Sequence, residues 1–228
     1  MSATEAPETV PDDHAPQVRY RYFDLVVAAF VGLLLISNVA ATKSIELDFN
    51  LFALVADGGA ICFPMTYILG DVLTEIYGLR RARRVIFTGF ALSILAALVF
   101  LAVQSAPPSA SYENQEAFEA VLGFVPRIVA ASLIGYVAGQ LLNATVLAWI
   151  KQRFGPRRLW VRLLGSTLVG ELADTALFCT IAFAGVMGRG EFLNYIVTGY
   201  VYKCTVELVL LPVTYRVIAW FRRHEQLD

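Results

Sequence analysis

Three pairs of ionisable residues sit in stretches of chain that are otherwise apolar: Asp71 with Glu75, Glu171 with Asp174, and Lys203 with Glu207. The members of each pair are three or four positions apart, so on a helix each pair shares one face. Placing an ionisable group in hydrocarbon costs roughly 2.5–3.5 kcal/mol on the insertion scale. Five carboxylates and a lysine therefore imply a polar interior that binds something. A carboxylate only accepts hydrogen bonds, and two parallel donors on a planar, amidine-like edge suit it well. A lysine or an amide would answer a ligand's carbonyl, and aromatic rings would cover its faces. Tyr67 lies one turn before Asp71, Phe178 one turn after Asp174, and Tyr200 three residues before Lys203. On these residues alone a cation is an equally good ligand.

The competing account is structural pairing. Lys203 would pair with Glu207 or Glu171, and Arg127 would satisfy a carboxylate nearer the outer surface. Five acids face one lysine at similar depth, however, so some acids must be protonated, hydrated or free to meet a ligand.

The elements that must position these groups are membrane helices. The chain has 228 residues, 57% of them apolar, and a net charge of -1. Its mean hydropathy of +0.62 exceeds that of a soluble domain. The near-zero net charge exerts no pull toward nucleic acid. Cys62, Cys179 and Cys204 all fall in apolar runs and form no disulfide framework or zinc spacing. Residues 1–18, rich in Pro, Glu, Asp, Ala and Thr, read as a disordered cytoplasmic tail, and residues 19–228 as a six-helix membrane domain. The tail is not a secretory signal peptide, because Arg19 and Arg21 come late and a full-length span follows; that span would serve as the targeting signal.

A bilayer core needs about 20 apolar residues per helix. Hydropathy predicts spans at 23–41, 60–77, 85–103, 128–150, 163–187 and 192–220. The second is the least regular. Asp57-Gly58-Gly59 precedes it and Pro64 lies within it, which predicts a broken or half-inserted segment around 51–56. With six spans, fourteen of the eighteen Lys and Arg residues fall on one side: Arg19 and Arg21, Arg80–Arg84, Lys151–Arg162, and Arg216, Arg222 and Arg223. The connection 105–123 carries Glu113, Glu116 and Glu119 and no basic residue. Both termini are therefore expected in the cytoplasm, and Trp149, Trp160 and Trp220 at the cytoplasmic interface.

A rise of about 1.5 Å per residue places Glu171 and Asp174 roughly 13–18 Å inside, near the midplane. Lys203 and Glu207 reach a similar depth from the other surface. Asp71 and Glu75 fall in the cytoplasmic third, Asn38 and Lys43 toward the outer surface, and Gln140 and Asn143 near the middle. Gln140-Leu-Leu-Asn143 and Glu171-Leu-Ala-Asp174 carry the same polar step on antiparallel helices, as an internal repeat would. Ala131, Gly135 and Gly139 form a small-residue stripe suited to close helix packing. A guanine-type base, with its ring N–H and exocyclic amine, presents the donor edge that the midplane acids could accept.

Several segments carry a family resemblance. Ile36-Ser37-Asn38 through Lys43 resembles the first motif of the queuosine precursor transporter family, a vitamin-uptake-transporter-like group. Phe63-Pro64-Met65-Thr66-Tyr67-Ile68-Leu69-Gly70-Asp71-Val72-Leu73-Thr74-Glu75-Ile76-Tyr77-Gly78 is the most specific match. Arg127 with Ala131-Ser132-Leu133 and Gly139-Gln140 resembles the fourth helix. Arg162, Ser166-Thr167, Glu171, Asp174 and Phe178 resemble the fifth, and Lys203, Glu207 and Pro212 the sixth. The resemblance implies uptake of 7-cyano- or 7-aminomethyl-7-deazaguanine. It also implies an all-α polytopic fold of six transmembrane helices, similar to the substrate-binding subunits of energy-coupling-factor transporters. Asn143 departs from the acidic residue expected at its position.

The expected site residues are Asn38, Tyr67, Asp71, Glu75, Glu171, Asp174, Phe178, Lys203 and Glu207, with no catalytic residue, metal or cofactor. Glu171 and Asp174 are the preferred acceptors, Lys203 the compensating charge, and Asp71 and Glu75 a gate or proton site. The expected partners are a small 7-deazaguanine and the lipid bilayer of a bacterial inner membrane, with a homodimer allowed and no nucleic acid. Two alternatives keep transport: a substrate-capture subunit served by a separate ATPase, and a cation- or proton-coupled carrier of another solute. The chain has no G-x-x-x-x-G-K-[ST] loop, so any ATPase would be another polypeptide. An intramembrane serine or metal hydrolase would want histidine, and His14 and His224 both lie in the tails. An aspartyl protease would need two opposed carboxylates, for which Asp71 and Asp174 would have to meet.

Overall fold

A computed structural model describes residues 20–48, 53–154 and 159–225, with the side chains of Lys151, Phe154 and 159–164 left aside. The tail expected over 1–18 therefore lies outside the described residues, as do Arg157, Arg158 and part of the segment 51–56. The described chain is built from helices α1 (Phe23–Ala40), α2 (Phe63–Glu75), α3 (Leu79–Ser105), α4 (Gln115–Leu122), α5 (Val125–Phe154), α6 (Leu159–Phe183) and α7 (Arg189–His224). Strands β1 (Ser44–Asp48) and β2 (Ala53–Asp57) and a 3₁₀ turn over Gly58–Cys62 connect α1 to α2.

Among the described residues, five helical stretches are long and apolar enough to cross a membrane: α1, α3, α5 with α4 leading into it, α6 and α7. Large apolar side chains point outward along them, with Phe87 and Leu208 each 64% exposed. The outward greasiness is what a bilayer, rather than water, makes favourable. The protein is a polytopic helical membrane protein.

The second expected span differs from the others. Its α-helix has 13 residues, about 20 Å, and falls short of a bilayer core. The 3₁₀ turn before it adds about 10 Å. The cause is local. Pro64 sits in the first turn of α2, where its missing N–H costs nothing, whereas further inside a helix it would remove a backbone hydrogen bond and clash with the preceding turn. Asp57 caps the 3₁₀ turn by accepting from Ala60 N at 3.1 Å. Gly58 and Gly59 let the turn lie on the end of α1: a Cβ on Gly58 would stand 2.6 Å from the Ala40 carbonyl oxygen, and one on Gly59 2.7 Å from that of Ser37.

The expectation of an all-α chain is corrected by the hairpin. β1 and β2 pair antiparallel, Ser44 opposite Asp57 and Asp48 opposite Ala53. The outer edge of β2 is completed by a side chain of α7: Asn194 donates to the Ala53 carbonyl at 2.8 Å and accepts from Val55 N at 3.3 Å. Tyr195 donates to the buried Asp57 carboxylate, and Tyr202 to the Ala60 carbonyl at 3.1 Å. The start of α7 thus grips the hairpin and the 3₁₀ turn together.

The buried apolar residues fall into two larger clusters and a small one of Ala97, Val125 and Val129 between α3 and α5. Val26, Val31, Val72, Leu73, Ile76, Tyr77, Ala82 and Val85 join α1, α2 and α3. Ile128, Ala131, Cys179, Ala182, Phe183 and Tyr195 join α5, α6 and α7 beneath the hairpin. The first cluster is tied by Glu225, whose carboxylate accepts from Arg21 N, from Tyr22 N at 2.9 Å and from the Tyr77 hydroxyl at 2.7 Å.

Candidate functional site

Helices α5 and α6 share the most extensive contact among the described elements, and the small residues explain it. A Cβ on Gly139 would lie 2.9 Å from both the Gly170 carbonyl oxygen and Asp174 Cβ. A Cβ on Gly170 would lie 2.9 Å from both the Gly139 carbonyl oxygen and Asn143 Cβ. The contact is reciprocal, so the segments Gly139–Asn143 and Gly170–Asp174 face each other about a local two-fold axis. Gly135 extends the stripe, with a Cβ there falling 2.8 Å from Asp174 Oδ1. The small-residue stripe is thus a packing surface, and what it packs against is the backbone that carries Asp174.

Lys203 of α7 answers from the opposite side. It is buried, and its ammonium bonds the Asp174 carboxylate. Glu171 Oε2 lies 3.7 Å from the same ammonium and has no hydrogen-bond partner among the described residues. Phe63, at the start of α2, places its ring 5.4 Å from Lys203 Nζ, a cation–π arrangement. Tyr67, one turn on, packs at a tilt with its ring centroid 6.1 Å from that of Phe63 and lies in the field of Glu171, Asp174 and Glu207. The broken helix therefore delivers two aromatic faces to the charged cluster. Buried Asn143 Oδ1 and Thr175 Oγ1 flank it, also without hydrogen-bond partners among the described residues.

The expected residues divide clearly. Glu171, Asp174, Lys203 and Tyr67 come together. Glu207 is exposed, and among the described residues it forms no ion pair with Lys203. Asp71 and Glu75 face a separate cleft of about 530 Å³ between α2 and α7, shared with Thr214, Tyr215 and Arg222. Arg222 stands 4.0 Å from Glu75 there. Asp71 and Asp174 thus do not form an opposed dyad. Asn38 is buried and donates to Ser93 Oγ at 3.1 Å, joining α1 to α3. Phe178 packs on Phe183, with ring centroids 6.0 Å apart.

Pairing between Lys203 and Glu171 exists, but Asp174 is the hydrogen-bonded partner. Arg127 does not meet a carboxylate. It donates to the Ile181 and Ala184 carbonyls at 2.6 and 2.7 Å and so satisfies the free C-terminal end of α6. Sequence reasoning missed Phe63 as a site residue, and missed Asp57, Tyr195 and Asn194 as the groups that hold α7 to the broken helix. The Asp57-Gly58-Gly59 cap was the available signal.

This arrangement, a buried lysine between carboxylates beside a discontinuous helix, lies inside a polytopic helical membrane protein. Residues 57–217 match the family described as "Putative vitamin uptake transporter", and the chain belongs to that family. It is 33% identical over 180 residues to the "Probable queuosine precursor transporter" of Bacillus subtilis (strain 168), covering 78% of this chain and 77% of the relative. It is 28% identical over 201 residues to the "Queuosine precursor transporter" of Escherichia coli (strain K12), covering 87% of each. A "Probable queuosine precursor transporter" of Haemophilus influenzae (strain ATCC 51907 / DSM 11121 / KW20 / Rd) is 27% identical over 172 residues, 74% of this chain and 71% of the relative. No solved structure matches the chain significantly.

Proposed function

We propose that the protein imports a queuosine precursor, 7-cyano- or 7-aminomethyl-7-deazaguanine, across a bacterial inner membrane with both termini cytoplasmic. The observation that carries this reading is Lys203 buried against Asp174 and Glu171 beside the rings of Phe63 and Tyr67. Lys203 holds Asp174 in place and leaves Glu171 Oε2 free to accept. A guanine-type edge supplies two parallel donors to that carboxylate, and the aromatic pair covers a face of the base. Lys203 shifts toward the ligand carbonyl when the base arrives. Asp71, Glu75 and Arg222 line the way out, in the cleft between α2 and α7 at the arginine-rich end. Pro212, inside α7, breaks one backbone bond at the head of that cleft and lets the last turns of α7 move from α2.

The test is uptake of labelled precursor by the purified chain in proteoliposomes, with and without a pH gradient. Uptake by the chain alone supports an autonomous carrier, and uptake only with an added ATPase component would replace it with the capture-subunit reading. Loss of uptake in Glu171→Gln and Asp174→Asn, with folding intact, supports the midplane site; wild-type uptake in both would remove it.

A further inference from the structure

The start of α3 is built against its own helix. Its first six residues, Leu79–Arg84, include four arginines and no acid. Cations at a helix N-terminus oppose the macrodipole, and Arg80 and Arg84, at i and i+4, repel each other. Neither forms an ion pair among the described residues. The cluster at the end of α7 differs, because Arg222 there faces Glu75.

The same arginines wall a groove. This half-open groove of about 490 Å³ is lined by Tyr77, Gly78, Leu79, Arg80, Arg81 and Arg84. The connection to α2 is a tight turn at Gly78, whose φ of 83° suits glycine. Arg81 is held in place: it donates to the Tyr20 hydroxyl at 3.2 Å and the Tyr77 carbonyl at 3.3 Å, and lies over the Tyr20 ring. Arg80 and Arg84 are exposed beside it, and neither forms an ion pair among the described residues. Depth gives the last element. The apolar part of α3 begins at Val85, so Arg80 lies about 7.5 Å beyond it along the axis. The interfacial layer of a bilayer is about 5–8 Å thick on each side. Arg80 therefore stands at the level of lipid phosphates, and Arg84, one turn nearer the apolar core, reaches that level by its long side chain, in a groove between two helix ends.

We propose that this groove seats the phosphodiester headgroup of an anionic phospholipid, gripped by Arg80 and Arg84 with Arg81 and Tyr20 as a fixed wall. The bound phosphate offsets the like-charge repulsion at the start of α3 and fixes the turn that sets α2 against α3. The test uses the purified full chain in neutral detergent, titrated with phosphatidylglycerol or phosphatidylcholine, with retained lipid counted by native mass spectrometry. Wild type should retain phosphatidylglycerol preferentially. R80Q/R84Q should weaken that retention about thirtyfold, and each single variant about fivefold, which keeps the test alive should the double variant not fold. R216Q/R223Q, which removes the same charge from the end of α7, should retain lipid like wild type. Unchanged retention in R80Q and R84Q, equal losses in R216Q/R223Q, or displacement of the lipid by an equal concentration of inorganic phosphate would each overturn the proposal.

Discussion

Glu171 with Asp174, and Asp71 with Glu75, follow the same local pattern and meet opposite surroundings. The first pair is mostly buried, each side chain 23% exposed, against a lysine side chain only 11% exposed. In the second, Glu75 is 58% exposed and its arginine 59%, at the limit of ion-pair distance. Helical spacing alone does not separate them; the neighbouring helices do. At the midplane, glycines on α5 let α6 come close and α7 supplies a cation. In the cleft, α2 ends after 13 residues and its acids look outward. A buried pair fixes geometry and resists disturbance, while an exposed pair can open and close at little cost. That difference supports the roles of binding centre and gate proposed for them.

The largest expected effect lies in the buried lysine. Lys203→Met leaves two carboxylates without their cation and should destabilise the protein by about 3–5 kcal/mol. Arg222→Met should cost no more than about 1 kcal/mol. Thermal unfolding of both variants in one detergent compares them directly, and equal losses would break the contrast. Next comes ligand affinity. Glu171→Gln removes a charge-assisted hydrogen bond worth about 1.5–3 kcal/mol, or roughly 10–150-fold in Kd. Calorimetry with 7-aminomethyl-7-deazaguanine should show that loss, and only about a twofold change in Asp71→Asn. A larger effect at Asp71 would move the binding centre into the cleft.

Much of this contrast was legible beforehand, because depth follows from helical rise and the span positions from hydropathy. The break before α2 was legible too, in Asp57-Gly58-Gly59 and Pro64. What could not be read was rotation. Lys203 and Glu207 share a helix face in sequence, yet the lysine turns to Asp174, since the choice depends on how α6 and α7 face each other. The hairpin was hidden for a related reason. Its edge is completed by Asn194, 139 positions after Val55, and no local pattern announces a partner that distant. Asn38 and Arg127 are polar groups whose helix contacts, to Ser93 and to the end of α6, depend on the packing of distant elements.

The glycines give a finer test. Gly139→Ala forces a methyl group to within 2.9 Å of the Gly170 carbonyl, a backbone atom that cannot turn aside. A cost of about 1–3 kcal/mol is expected, with weakened ligand binding as α6 shifts. Gly70→Ala, next to Asp71, meets nothing within 4 Å and should stabilise α2 by about 0.5–1 kcal/mol. Unfolding midpoints and ligand affinity together would show whether helix spacing matters only at the midplane.

The smallest effect discriminates most sharply between centre and gate. A double-mutant cycle on Arg222 and Glu75 should yield a coupling of about 0.2–1 kcal/mol that fades between low and high salt, because both side chains stand mostly in solvent. The corresponding cycle on Lys203 and Asp174 should give a larger coupling that salt barely alters, since counter-ions do not reach a buried pair. Salt-insensitive coupling at Arg222 would mean that the cleft is closed off as tightly as the midplane, and Glu75 would then belong to the binding centre. Salt-sensitive coupling at Lys203 would mean that water already reaches the centre, so that the cluster is an open vestibule rather than a site.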